Sequence, residues 1–177
     1  MKITLARPEA VPGSDTVEIR RATKSDLPKI AEIGASSFSG LRPEDSGLRW
    51  VTACFSAFPR MEYWVAESSG TLVGYILWNE KGGFRKDAVL ELEQIAVSPN
   101  MRSRGVGRRL ITLSLEGVRK RLQARGSHIK IIEVTTGTEQ EAVEFYRRTL
   151  GAEVVAKIPD YFRGTESILI SRDQAKG

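Results

Sequence analysis

Two stretches of the chain carry residue types and spacings that could do chemistry. In AVLELEQIAV, residues 88–97, Glu91 and Glu93 lie two apart. Strand side chains alternate with period two, so both carboxylates share one face. Such a pair is either a source and sink of protons or the wet face of a half-buried strand. The next residues, SPNMRSRGVGRRLI, put Arg102, Arg104, Arg108 and Arg109 around Gly105 and Gly107, where the strand gives way to a helix. A helix start is an anion site, because its first N–H groups lack partners and the helix dipole is positive there. Glycines let the backbone approach an anion closely. Two familiar phosphate motifs fail. No G-x-x-x-x-G-K-[ST] string exists, and Gly105-x-Gly107-x-x is followed by Leu110 rather than by a third glycine, with no early βαβ unit.

The elements that must position these residues are legible in outline. Residues 1–16 contain Pro8, Pro12 and Gly13 without sustained periodicity and read as an N-terminal extension. The domain spans 17–172, and 173–177 form a C-terminal tail. VEIRRA alternates as a strand, and Ser25 is the expected N-cap of a helix through Ser37 that buries Leu27, Ile30, Ala31 and Ile33. After LRPEDSG, the spacing of Trp50, Val51, Cys54 and Phe55 predicts a second helix. YWVAESSGTLVGYILWNE reads as a hairpin turning at Ser68-Ser69-Gly70. The glutamate strand follows, then a helix from about Gly105 to Arg125 with Val106, Leu110, Leu113 and Gly117 on one stripe and Leu122 further along, ended by Gly126. HIKIIEVTT is a further strand. Thr138 to Glu141 has capping-box spacing before a helix through Leu150, which Gly151 stops. AEVVAKIPDYF and ESILISR close the chain as paired strands around Arg163-Gly164-Thr165. The class is α/β, a mixed sheet covered by helices.

Composition narrows the function classes. With 41% hydrophobic and 28% charged residues, and no apolar run near the ~20 needed to span a bilayer, a soluble domain is expected. The N-terminal residues lack the apolar core of a signal peptide, so a cytoplasmic location is expected. Cys54 is the only cysteine and His128 the only histidine, too few for an intrachain disulfide or a structural zinc site. Cys54 reads as a small core residue and His128 as a surface residue before a strand. The net charge of +5 predicts attraction to an anion without choosing among nucleic acid, an anionic cofactor or an acidic protein. The run Arg119 to Arg121 reads as a solvated helix face.

Arg102-Ser103-Arg104-Gly105-Val106-Gly107 matches R-x-x-G-x-G, and together with the preceding IAVSP it resembles the acyl-CoA-binding motif of the GNAT superfamily of N-acetyltransferases. About forty residues on, AVEFYRRTLGAEVV resembles that family's A-x-x-F-Y-x-x-x-G-F segment, and the element order agrees from Val17 to Arg172. The resemblance implies a mostly antiparallel seven-stranded sheet with about four helices and splayed central strands. It implies acetyl-CoA as co-substrate and no metal. The pantetheine arm would bond backbone groups at Ile95, Ala96 and Val97, and the pyrophosphate would rest on the amides of Arg102, Ser103, Arg104, Gly105, Val106 and Gly107. Tyr146 matches the tyrosine that protonates the leaving sulfur, although its stripe with Ala142 and Phe145 also reads as core. Glu93 or Glu91 would take the amine proton. The sequence departs from the family at Glu139, where asparagine is often found, and at Ala152 in place of phenylalanine.

The acceptor is addressed by the last segment. KIPDYFRGTESILISR resembles the final hairpin of protein N-terminal acetyltransferases, Y-[YF]-x-x-G-E-x-A-x-x-[ML], with Gly164 one residue early. By that resemblance Tyr161 lines a peptide groove. An α-amine with a pKa near 8 is partly neutral at pH 7, unlike a lysine near 10.4. A small-molecule amine is the alternative acceptor. From other classes, a non-catalytic CoA-binding member and a nucleic-acid-binding module compete. Against the latter, no aromatic residues interleave with the arginines and no common reading motif is present. The oligomeric state is open, a homodimer included.

Overall fold

The computed structural model describes residues 16–38, 46–162 and 164–172. The expected N-terminal extension lies outside the described residues except for Thr16, and the expected C-terminal tail lies wholly outside them. Seven strands form one sheet: β1 (Val17–Arg21), β2 (Met61–Ser68), β3 (Thr71–Lys81), β4 (Asp87–Val97), β5 (His128–Gly137), β6 (Glu153–Ile158) and β7 (Glu166–Arg172). Their spatial order is β1-β2-β3-β4-β5-β7-β6. Every neighbouring pair is antiparallel except β4 and β5, which are parallel. The helices are α1 (Leu27–Ser37), α2 (Leu48–Ser56), α3 (Val106–Ala124) and α4 (Gln140–Leu150). A parallel neighbour requires a crossover, and α3 supplies it.

Each face of the sheet has its own core. Leu90, Leu92, Ile76 and Trp78 pack with Leu110, Leu115 and Val118 of α3 and Tyr146 of α4. On the opposite face, Tyr63, Val65, Tyr75 and Leu77 pack with Ile30, Val51 and Cys54 of α1 and α2. Covered on both sides, β3 reads TLVGYILW, nearly unbroken in apolar residues. The β2–β3 turn residues Ser69 and Gly70 have φ of 49° and 74°, the left-handed pair a tight hairpin requires.

Several local expectations are corrected. The first helix is entered through a 3-10 turn, Lys24–Asp26, behind Thr23 rather than from a Ser25 cap. Asp26 accepts from the Thr23 N–H at 2.7 Å and from Arg20 at 2.8 and 3.0 Å. The Arg20 hydrogen bond outweighs burial and holds the Asp26 pKa down at about 2. Glu139 caps α4 without a side-chain hydrogen bond, so the capping box expected from Thr138 does not form. Val106, Leu110 and Leu122 are buried as expected, but Leu113 is 37% exposed, and Ile111, Leu115 and Val118 complete the buried stripe of α3. Gly117 does face the sheet, because a Cβ there would lie 2.2 Å from the Trp64 ring.

The basic run of α3 is not wholly solvated either. Arg121 pairs with buried Glu62 at 2.8 Å, and both Arg121 and Arg125 reach buried Glu80. One turn apart, the two arginines share Glu80 of β3, and Arg121 also holds Glu62 of β2; neither carboxylate could be buried unpaired.

Candidate active site

Two irregularities of β4 make the site. Opposite β3, Leu77 pairs with Gln94 and Trp78 with Leu92, so Glu93 is an extra residue, a β-bulge. The bulge resets the alternation. Leu90 and Leu92 face the α3/α4 core, and after Glu93 it is Ile95 and Val97 that pack on that core, while Ala96 joins the α1/α2 side. Glu91 and Glu93 remain neighbours on the α1/α2 side, as period two predicts, but strict alternation would have kept Ile95 and Val97 with them. On the other edge, the β4–β5 ladder runs from the pair Asp87 and His128 to the pair Leu92 and Val134 and stops, although β4 continues to Val97 and β5 to Gly137. The strands splay there.

The parted edge of β4 presents backbone groups. Ser98 N–H donates to the Val73 carbonyl at 2.8 Å, on the β3 side. Successive residues point to opposite sides, so the peptide groups of Val97 and Ile95 face the splay and that of Ala96 faces β3. Of the three positions expected to meet a pantetheine arm, two point the right way.

Beyond the strand, Ser103 has φ 60° and Gly105 φ 77°, which turns the chain sharply into α3. The first backbone bond of the helix is Arg109 N–H to the Gly105 carbonyl, 3.0 Å, leaving the amides just before it without helical partners. Arg102 is differently engaged. Its N–H meets the Pro99 carbonyl at 3.3 Å, and its Nε donates to the Val97 carbonyl at 3.1 Å. Among the described residues, the expected row of amides is thus free from Ser103 onward rather than from Arg102. Gly107 packs under Phe145, whose Cζ would lie 3.3 Å from a Cβ at that glycine. A cleft of 1110 Å³ runs between this turn, Ile95 and Val97 of β4, and Phe145 and Tyr146 of α4. Arg102 and Arg108 stand at it, with Glu139 and Glu141 opposite.

Tyr146 is 8% exposed and belongs to the α3/α4 core, its ring edge-on to Phe145 at 5.2 Å. No hydrogen bond within the described residues engages its hydroxyl. Burial raises its pKa to about 12, so the phenol is fully protonated at neutral pH.

Across the sheet lies a second cluster. Asn79 Nδ2 donates to Glu91 at 3.1 Å, and Lys81 Nζ reaches Glu133 at 2.9 Å and Glu91 at 3.8 Å. Burial lowers the Lys81 pKa, but the hydrogen bond to Glu133 and the fields of Glu91, Glu133 and Tyr161 outweigh it and raise it overall. Glu93 titrates above the usual carboxylate range, through burial first and then the charge and hydrogen bond of Glu91, against the pull of Lys81. Beneath it, Tyr75 donates to Gln94 at 3.1 Å. Cys54 is buried and its thiol pKa is raised by burial, which suits a core residue and not a nucleophile. Tyr161 is half exposed, edge-on to Phe162 in the β6–β7 connection. His128 opens β5 at the surface beside Asp87, 3.0 Å away.

Sequence reading missed Lys81, Asn79 and Glu133, and it placed Phe145 in the core without its packing over the glycine turn. Glu133 alternates correctly within HIKIIEVTT, but only the parallel register with β4 reveals that it faces Glu91. The glycine at 107 was the one signal that a large side chain packs over the turn.

A parallel strand pair that splays over a glycine turn, with covering helices on both faces, is the arrangement that the resemblance to the GNAT superfamily implies. The chain belongs to the acetyltransferase (GNAT) family, whose model matches residues 27–152. It is 30% identical over 165 residues to the N-alpha-acetyltransferase RimI of Mycobacterium tuberculosis, covering 90% of this chain and 94% of that one. It is 29% identical over 160 residues to an uncharacterized N-acetyltransferase of Methanocaldococcus jannaschii, covering 86% and 68%. Among solved structures, the ribosomal-protein-alanine N-acetyltransferase of Brucella melitensis superposes with a TM-score of 0.69 at 20% identity, over 88% of this chain and 99% of that one. No helix among the described residues is long and apolar enough to cross a membrane.

The residues present fit the family's co-substrate, acetyl-CoA: unpartnered amides at a helix start, a glycine cradle under Phe145, and a cleft at the upper end of ordinary ligand volumes. Valine at Gly107 would fill the cradle. Valine at Gly105 would be forced into a left-handed conformation costing about 1–3 kcal/mol. Both variants are expected to lose the thermal stabilisation given by acetyl-CoA while still melting cooperatively. An unchanged ligand-induced shift in both would move the pyrophosphate site elsewhere.

Proposed function

We propose that the protein acetylates the α-amine of a protein or peptide N-terminus, with acetyl-CoA as donor. The observation that carries this reading is the carboxylate group on the α1/α2 side of the splay. Glu93 is partly buried beside Glu91, with Glu133 and Lys81 adjoining, and these charges present a net negative surface to an ammonium group. Helices α1 and α2 pack against β2, β3 and β4. No further described helix covers β5 and β7 on that side, so an extended chain has room to approach. Tyr161 is half exposed and near enough for its charge to act on Lys81. The likeness to RimI supports the same acceptor class.

In this reading the amine approaches across the sheet from the cofactor cleft. Glu93 takes its proton, directly or through a water, and Glu91 keeps Glu93 a better base than an ordinary carboxylate. An α-amine suits such a base because it is already partly neutral near pH 7. The outward N–H of Val97 holds the carbonyl oxygen as charge develops on it. Tyr146 donates a hydrogen bond to the departing sulfur. The thioester supplies the activated acyl carbon.

A panel with acetyl-CoA tests the acceptor: peptides with free N-termini, the same peptides N-blocked but containing lysine, and small amines such as polyamines and amino acids. Turnover is expected with the first set. Turnover confined to the small amines would overturn the N-terminal reading and leave the acetyltransferase standing.

A further inference from the structure

The strip of sheet that carries Glu91 and Glu133 continues to the opposite ends of β4 and β5, into a hollow of 510 Å³ floored by Val89 and Ile131. Its walls are basic: Lys81, Arg85, Lys86 and Lys130. One acidic residue, Asp87, also lines it, with the His128 ring 3.0 Å from its carboxylate, so four basic side chains face a single acidic one. Among the described residues Lys86 and Lys130 have no ion-pair partner. Arg85 gives its Nε–H to the Gly82 carbonyl at 2.9 Å, and among the described residues its terminal nitrogens have no partner. Lys81 joins the two regions, since the same ammonium that borders the hollow bridges Glu133 and Glu91.

Charge therefore changes sign along one continuous surface, negative around Glu91, Glu93 and Glu133 and positive around Arg85, Lys86 and Lys130. A chain complementary to it carries an ammonium at one end and carboxylates further on. From Glu93 the hollow lies four residues along β4 at Val89 and six at Asp87, about 13 to 20 Å at ~3.3 Å per residue. An extended chain with its amine at Glu93 reaches the hollow about four to six residues in.

We propose that this hollow is a second recognition site, in which Arg85, Lys86 and Lys130 bind acidic side chains of the acceptor polypeptide about four to six residues beyond its N-terminus. The inference rests on the acceptor being a polypeptide. A nucleic acid strand is a poorer match, because continuing along the strip would bring its phosphates against the glutamates.

The test uses peptides that share their first three residues and carry aspartate and glutamate, serine, or lysine at positions four to six. Steady-state kinetics at saturating acetyl-CoA should give the acidic peptide a KM about three- to tenfold below the serine peptide, with similar kcat, and high salt should remove the difference. The double variant Lys86→Glu with Lys130→Glu should reverse the order of acidic and lysine peptides. It should turn over the common tripeptide, too short to reach the hollow, at the wild-type rate, which also reports that the variant is folded. Equal KM for acidic and serine peptides in the wild type, or a preference for acidic peptides that survives in the double variant, would overturn the proposal while leaving N-terminal acetylation intact. Inhibition by an oligonucleotide that the double variant abolishes, without any peptide charge preference, would assign the hollow to nucleic acid instead. Failure of every peptide to react would remove the acceptor reading and this inference with it.

Discussion

Tyr146→Phe is expected to lower kcat by about 10²–10³-fold, the loss typical of removing one preorganised donor from developing negative charge. Acetyl-CoA affinity and thermal stability should stay near wild type. The ring is what packs, edge-on to Phe145 and within the α3/α4 core, and phenylalanine keeps the ring. The hydroxyl has no partner to lose among the described residues. Its pKa of about 12 sets its chemical role. A thiol of ordinary pKa near 8.5 is the stronger acid, so complete proton transfer from the phenol to the thiolate is uphill by about 5 kcal/mol. In the proposed reaction, Tyr146 therefore acts by donating a hydrogen bond as charge builds on sulfur, and the proton arrives afterwards from solvent. Because the phenol stays protonated up to about pH 12, no alkaline decline in kcat from this residue is expected in the range where the protein can be assayed. Steady-state kinetics beside a thermal melt decide the matter. Wild-type turnover in the variant would return Tyr146 to the core alone.

The second large effect is expected at Glu93. Its carboxyl is pushed above the usual range by burial and by Glu91. A base must be ionised to work, so kcat should rise with pH through that elevated value and fall below it. Glu93→Gln should remove this acid limb and reduce kcat by about 10²–10⁴-fold. Glu91→Gln should do something different. With its negative neighbour gone, Glu93 ionises more easily, so the limb should move to lower pH while the plateau falls much less. The two pH–rate profiles distinguish the base from the residue that tunes it. If neither substitution moves the limb, the proton is taken by another group or by water.

Much of the fold was legible because its signals are local. Alternation over VEIRR and ESILISR, the left-handed glycines at 70, 126 and 151, and the 3.6 period of α3 are properties of consecutive residues. They gave the order of seven strands and four helices. The same holds for the anion turn, since Gly105 with φ 77° and the helix start behind it are adjacent in the chain. Where short-range competition was close, the outcome differed. Thr23 and Asp26 closed the first helix in place of Ser25, because Asp26 is also claimed by Arg20 from β1.

What the sequence by itself determined was therefore the element order, the glycine turn with its helix start, and the pairing of Glu91 with Glu93 on one face. What only the tertiary structure decided was how those pieces meet. Neither the bulge at Glu93 nor the end of the β4–β5 ladder at Leu92 is written in the local pattern. Both follow from strand registers that two cores, one on each face, must satisfy at once. Lys81 and Glu133 are 52 residues apart, and nothing in either neighbourhood names the other. Period and propensity act over a few residues, whereas register is chosen by the burial of whole strands. The chemistry of Glu93 depends on both, since its position comes from the first and its raised pKa from the second.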